Sequence, residues 1–253
     1  MQSGWSVATI SLPRESLELM PKGSVLTLSG DLVHEHVCQT LVKQTLKCYG
    51  RIDVLVNNAG VGLYAPPSNL EIDLLRRMVE VNFVAPLRLA QLVIPVMRRQ
   101  RLGTIVNIGS VAGDVALPWT AGYCASKHAL HAITDSLRRE LRRDRIRAIK
   151  VCPGIVATSF RKNVLAGAPP RAVLKLRHVV SADAVAEAVF RGVRSKSTRT
   201  IYVPRIGRIF TAMQHLAPWM MDRYLDRFFT PTHDAAEPVV SMAAGRLEPG
   251  NDA

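Results

Sequence analysis

The chain of 253 residues is short of several things, and each shortage removes a class of function. Its four cysteines, Cys38, Cys48, Cys124 and Cys152, sit singly in apolar patterns, with no C-x-x-C spacing for zinc or redox work. Reduced thiols in a cytoplasmic protein are the expectation, and no metal site is read from the sequence. Aromatic residues make up 6% of the chain and are not interleaved with the basic ones, which sets nucleic acid aside as a partner. Acids are scarce, with 20 Asp and Glu against 33 Lys and Arg and a net charge of +13. No stretch approaches the roughly 20 apolar residues of a membrane span. The start, MQSGWSVATISLP, has no basic flank before a hydrophobic run, so no secretory signal is expected.

What is present is a large apolar fraction, 48%, enough to bury a sizeable core. Much of the positive charge gathers in Arg138, Arg139, Arg142, Arg143, Arg145 and Arg147, where a helix ends. Cations are favourable there, so a solvated face is the default reading. Hydrophobic runs alternate with helical patterns. Strands are expected at Trp5–Ile10, Val25–Leu28, Ile52–Val56, Ile105–Ile108, Ile146–Cys152 and Ile201–Val203. Helices are expected at Pro13–Leu19, Leu32–Tyr49, about Leu70–Arg99, around Tyr123, and from an N-cap at Ser181 to Val193. Strands joined through helices of this length make βαβ units, hence an α/β fold with a doubly wound parallel sheet covered on both faces.

The stretch from Thr104 to Lys127, TIVNIGSVAGDVALPWTAGYCASK, carries the chemistry. A buried strand runs into Ser110, and a helix follows with Tyr123 and Lys127 four residues apart on one face. An ammonium beside a phenol favours phenolate and is expected to pull the tyrosine pKa down from about 10. Ser110 can hydrogen-bond the same substrate oxygen. Taken alone, Tyr-x-x-x-Lys is a weak signal, and an exposed lysine beside a half-buried tyrosine is the favoured reading of it.

Its company decides the matter. Asn57-Asn58-Ala59-Gly60, a lone helical Asn82, Ser110 after Ile108-Gly109, Tyr123-x-x-x-Lys127, and Pro153-Gly154 followed by Thr158 occur in the order of the classical short-chain dehydrogenase/reductase family. The gaps also match, with 27 residues from Asp31 to Asn58, 24 to Asn82, 28 to Ser110 and 13 to Tyr123. The chain resembles that family from about Gly4 to Val203, and the resemblance implies a Rossmann-like, three-layer domain that oxidises or reduces with a nicotinamide cofactor. It implies that Tyr123 exchanges a proton with the substrate oxygen, Lys127 tunes the phenol and holds the nicotinamide ribose, Ser110 polarises the carbonyl, and Asn82 bends its helix and holds a relay water. Asp31 is implied to touch the adenine, Asn58, Ala59 and Gly60 to let the backbone approach the cofactor, and Pro153, Gly154, Ile155 and Thr158 to face the nicotinamide. Duller readings stand beside these: a capping serine, a solvent-facing asparagine, an N-cap aspartate and plain turns.

The family opens with a strand and a Thr-Gly-x-x-x-Gly-x-Gly turn, and this sequence does not contain them. Trp5–Ile10 takes the place of the family's second strand, so the sheet is expected to be incomplete at its N-terminal side, with the first strand encoded upstream of Met1. The end of that second strand reads Ile10-Ser11-Leu12-Pro13-Arg14, with no acid before Glu15, which favours NADP over NAD. The apolar segment between Pro153 and Ser181, with Phe160, Val164, Leu165, Val173 and Leu174 among Arg161, Lys162, Arg171, Lys175 and Arg177, suits a hydrophobic alcohol or ketone such as a lipid, steroid or retinoid. The division expected is a core domain over 1–204, an amphipathic helical extension over 205–229 and a disordered tail over 230–253. The extension, with Arg205, Arg208, Arg223 and Arg227 beside an apolar stripe, fits packing on its own domain or a second subunit, and it also fits peripheral membrane contact. The resemblance further implies a homodimer or homotetramer joined through the helices of Asn82 and Tyr123. The rival functional reading is a catalytically inactive relative that binds a partner or a membrane.

Overall fold

The computed structural model describes residues 5–12, 25–158, 160, 163–168, 179–195 and 200–229. The expected helix at Pro13–Leu19, the tail, and Arg161, Lys162, Arg171, Val173, Leu174, Lys175 and Arg177 lie outside these residues.

β1 (Val7–Ser11) and β2 (Val25–Ser29) form a parallel pair. Helix α1 (Glu35–Tyr49) follows, with Cys38 and Val42 buried one turn apart. Gly50 ends it in the left-handed conformation at φ 73° and donates its N–H to Leu46 O, a geometry that favours glycine. β3 (Val54–Asn57), β4 (Gly103–Ile108), β5 (Ile146–Pro153) and β8 (Thr200–Val203) make a four-stranded parallel sheet in that order. A third parallel pair, β6 (Ile155–Ala157) with β7 (Val179–Ser181), was not foreseen. Its strands are three residues each, too short to show a period.

Between β3 and β4 runs one long helical segment: α2 (Ile72–Val79), a π-turn over Glu80–Val84, and α3 (Ala85–Gln100). Contrary to the expectation drawn from the sequence, 72–100 is long and apolar enough to cross a bilayer by composition. It serves instead as a core helix. Leu89, Ala90, Val93, Val96 and Met97 pack with Cys38 and Val42 of α1, Ile105 of β4, and Ile146 and Ala148 of β5. That cluster fastens α1 to the main sheet, with Arg88 of α3 donating to Val33 O at 3.4 Å, and within the β1–β2–α1 unit Tyr49 Oη donates to Val7 O at 3.2 Å. Helix α4 (Ala121–Glu140) lies on the sheet through Leu130 and Leu137. On the opposite side, α5 (Ala182–Arg194) is capped by Ser181, whose Oγ accepts from Ala184 N at 3.1 Å, and places Val185, Val189 and Val193 against Val106, Ile149 and Val151.

β1 and β3 do not pair with each other, and among the described residues no strand joins them. The facing strands show it in their side chains: Val7 is 37% exposed and Val56 43%. The incompleteness expected beside the second strand of the family order therefore falls between β1 and β3. One expectation about charge needs correcting. Arg147 is not part of a solvated face; it lies in β5 and caps the C-terminus of α5, donating to Val193 O at 2.6 Å and to Ser195 O, and to Thr104 Oγ1 at 2.8 Å. Position within a parallel strand beside a helix end, which residue spacing does not reveal, assigns it that role.

Helices α6 (Gly207–Leu216) and α7 (Pro218–Phe229) close the described chain. They turn Phe210, Met213, Met221 and Leu225 onto Val115 and Leu117.

Candidate active site

Because β3, β4 and β5 are parallel and in register, their carboxyl ends lie on one edge of the sheet, the edge outside which α/β proteins bind ligands. Asn58–Gly60 follow β3, Ser110 follows β4, and Pro153 and Gly154 end β5. Helix α4 begins at the same edge and brings Tyr123 and Lys127 to it. Ser110 lies close enough to the Tyr123 phenol to act on its proton affinity, and its Oγ accepts from Ala112 N at 3.1 Å. Lys127 is buried, donates from Nζ to Ile108 O at 3.0 Å, and lies 5.8 Å from the centroid of the Tyr123 ring. The three groups thus converge on one slot, as expected.

Their electrostatics depart from the expectation. Enclosure pushes the Tyr123 phenol above its ordinary pKa, and the nearby Ser110 hydroxyl only partly offsets this. Lys127 is itself pulled down to about 8 by burial. Burial thus moves the Tyr123 phenol upward, opposite to the lowering anticipated from its lysine neighbour.

Asn82 sits at the centre of the π-turn and is fully buried. Its Oδ1 accepts from Val61 N at 2.9 Å, and its Nδ2 donates to Val61 O at 3.0 Å and to Ser126 Oγ at 3.0 Å. The side chain holds the strand after Gly60 as another backbone would, so a solvent-facing role is excluded. Gly60 faces the same groups: a Cβ there would be tight against Asn82 Oδ1 at 3.3 Å and in ordinary contact with Lys127 Nζ at 3.6 Å. Asn58 and Ala59 are exposed at the strand end. Asn57, just before them, is structural, donating to Asn107 Oδ1 at 2.7 Å.

Asp31 is engaged locally: Oδ1 accepts from Val33 N at 3.1 Å, and Oδ2 pairs with Arg77. It is not the N-cap of α1, a position held by His34. Gly154 N donates to Val203 O at 2.8 Å, Ile155 is half-buried in β6, and Thr158 is exposed, its Oγ1 accepting from Phe160 N at 3.2 Å. Phe160 meets the Tyr123 ring edge-on at 6.1 Å, and Val164 bridges to Gly62. The described part of the Pro153–Ser181 segment thus forms an apolar wall over the phenol.

The sequence reading missed His131, one helical turn beyond Lys127. Its Nδ1 donates to Asp114 Oδ1 at 2.9 Å, and Asp114 Oδ2 accepts from Tyr202 Oη at 3.0 Å. Nε2 accepts from Ser110 N at 3.4 Å and lies 3.6 Å from Cys152 Sγ. Gly109 and Gly113 make room for the ring, since a Cβ at either would fall 2.1 Å or 2.5 Å from it. Burial holds His131 below its ordinary pKa despite Asp114. Burial works to raise Asp114, but the His131 bond and the charges around it leave it lowered. A neutral imidazole beside a carboxylate, supporting the backbone of Ser110, is the consistent state. Asp114, His131 and Cys152 offer ligand atoms within 4.8 Å of one another, but these atoms already hydrogen-bond each other, and burial pushes the Cys152 thiol up, away from the thiolate a metal takes. The signal in the sequence was the stripe Tyr123, Lys127, His131 at steps of four.

Tested against a dinucleotide, this slot fits its nicotinamide end: a cation, a phenol, a hydroxyl and a backbone opened at Gly60. A glycine-rich turn at a helix N-terminus for the pyrophosphate is not found among the described residues.

The family model described as short chain dehydrogenase matches residues 3–168. Dehydrogenase/reductase SDR family member 7B of Mus musculus is 29% identical over 198 residues, covering 77% of this chain and 61% of the mouse protein. Ketoacyl reductase HetN of Nostoc is 29% identical over 207 residues, covering 79% of this chain and 70% of that protein. A crystal structure of a short-chain dehydrogenase from Streptomyces avermitilis superposes with a TM-score of 0.73 at 22% identity, over 87% of this chain and 89% of that one. The chain therefore spans about three-fifths of the mouse relative's length. With the family model reaching across well over half of its residues, this chain belongs to the short-chain dehydrogenase family.

Proposed function

We propose that the protein is an NADP-preferring oxidoreductase that moves a hydride between the cofactor and the carbinol or carbonyl carbon of a hydrophobic alcohol or ketone. The observation that carries this reading is the meeting of Ser110, Tyr123 and Lys127 at the carboxyl edge of the sheet. The bound nicotinamide supplies the hydride in reduction and receives it in oxidation. In reduction, Ser110 donates a hydrogen bond to the carbonyl oxygen, and the Tyr123 hydroxyl gives that oxygen its proton as the hydride reaches carbon. The developing phenolate gains the Lys127 charge, which is present below about pH 8 and lies 5.8 Å from the ring centre in a buried setting. Asn58, Ala59, Gly60, Pro153, Gly154, Ile155 and Thr158 would line the cofactor's nicotinamide side, with Asp31 toward the adenine.

The preference for NADP rests on the strand end at Ser11, which lacks the acid that repels a 2′-phosphate. The substrate class rests on Phe160 beside Tyr123 and on Val164 paired with Gly62, and the name of the Nostoc relative agrees with ketone reduction. Homodimers or homotetramers through α3 and α4 belong to the same proposal. The unfilled place between β1 and β3 favours a second reading, a non-catalytic partner-binding relative. Nicotinamide fluorescence separates the two. Saturable micromolar binding of NADPH, tighter than NADH, supports the redox reading, whereas no binding at millimolar cofactor supports the other.

A further inference from the structure

We propose that the outer face of the α6–α7 hairpin docks the protein onto an anionic lipid bilayer. The inner face is satisfied by Val115 and Leu117. The outer one is not: Ile209 is 68% exposed, Leu216 85% and Trp219 60%, with Ile206, Met220 and Tyr224 exposed beside them. Ile209 and Leu216 are two turns apart on one face of α6, and Arg205 and Arg208 are exposed at its start.

On α7, successive residues turn by about 100°, so Trp219, Arg223, Arg227, Met220 and Tyr224 fall within one arc of about 140°. Met221 and Leu225 point the other way, into the core. Asp222 and Asp226 stand together on the flank beyond Trp219. The Arg223 guanidinium lies 5.6 Å from the centre of the Trp219 ring. The exposed arc thus interleaves aromatic and aliphatic side chains with arginines. Arginines of this kind bury their stems and keep the charged head at the headgroups, where tryptophan and tyrosine also settle.

A second copy of the chain fits this face less well. A two-fold contact with its axis through this arc would bring Arg223 and Arg227 near their own counterparts. Anionic headgroups complement them, and the net charge of +13 adds long-range attraction. Val115 and Leu117, on which the hairpin rests, follow Ser110 by only a few residues. The hairpin that carries the docked face therefore rests on the loop that follows Ser110. The docking itself does not rest on the redox reading.

The test is co-sedimentation of the full chain with vesicles of phosphatidylcholine alone or with one-third phosphatidylserine. Binding to the mixed vesicles is expected to be at least about tenfold tighter and to weaken with salt. The exposed double variant R223E/R227E and, separately, Leu216→Glu should each weaken it by about tenfold or more. R142E/R143E, on exposed residues elsewhere, should change it by less than about threefold. The idea is overturned by equal binding to both vesicle types, or by equal losses in the two double variants. It is also overturned if the vesicles are not bound and R223E/R227E instead dissolves an oligomer.

Discussion

His131 is enclosed by groups from every element around it: Asp114 and Tyr202 to one side, Cys152 and the Ser110 N–H to the other, with the charges of Lys127 and Lys150 also felt. Protonation would turn its acceptor nitrogen into a donor aimed at the Ser110 N–H, so the imidazole resists it. A histidine held below its unfolded value of 6.5 gives stability that is full above that pH and declines as pH falls through the folded pKa. His131→Phe keeps a ring between Gly109 and Gly113 but strands the buried Asp114. We expect a loss of about 3 kcal/mol in urea unfolding at neutral pH and a flatter stability profile between neutral and mildly acid pH. A variant as stable as the parent, with the same acid profile, would remove the network from the account. Tyr123 and Lys127 were legible as a pair because helical spacing fixes shared faces. Their pKa directions were not, because desolvation depends on what encloses a group and spacing carries no such information.

At the scale of the element, the π-turn at Glu80–Val84 is the informative departure. An asparagine amid apolar residues marks a helix with a non-helical duty, and Asn82 uses its whole amide to bind Val61 and Ser126. Replacing it with alanine leaves a peptide unit of Val61 without partners. Asn82→Ala is expected to cost about 2–3 kcal/mol of stability and to loosen the Gly60 turn, measured by chemical denaturation and by amide exchange at Val61. Unchanged exchange there would contradict the clamp. The longer strands and helices were readable from period, from the start signal at Ser181 and from the stop signal at Gly50. β6 and β7 were not, since they form only where two distant segments meet.

Across the whole molecule, one cluster through α1, α3, β4 and β5 ties together a sheet that is divided between β1 and β3. The order of motifs foretold where that division would fall, because a parallel sheet assigns each strand its neighbours. The helical region at 72–100 was legible, and its apolar length reflects burial on the sheet; composition left open what the C-terminal helices do, since one face packs inward and the other does not. Across that divided sheet, the reading turns on three side chains brought together from β4 and α4.

The most direct test compares wild type with Tyr123→Phe, following NADPH consumption with a bulky apolar ketone alongside cofactor affinity. The account predicts that the variant keeps its affinity for NADPH and loses turnover by about a hundredfold or more. Turnover equal to wild type, with the phenol's hydroxyl gone, would contradict it.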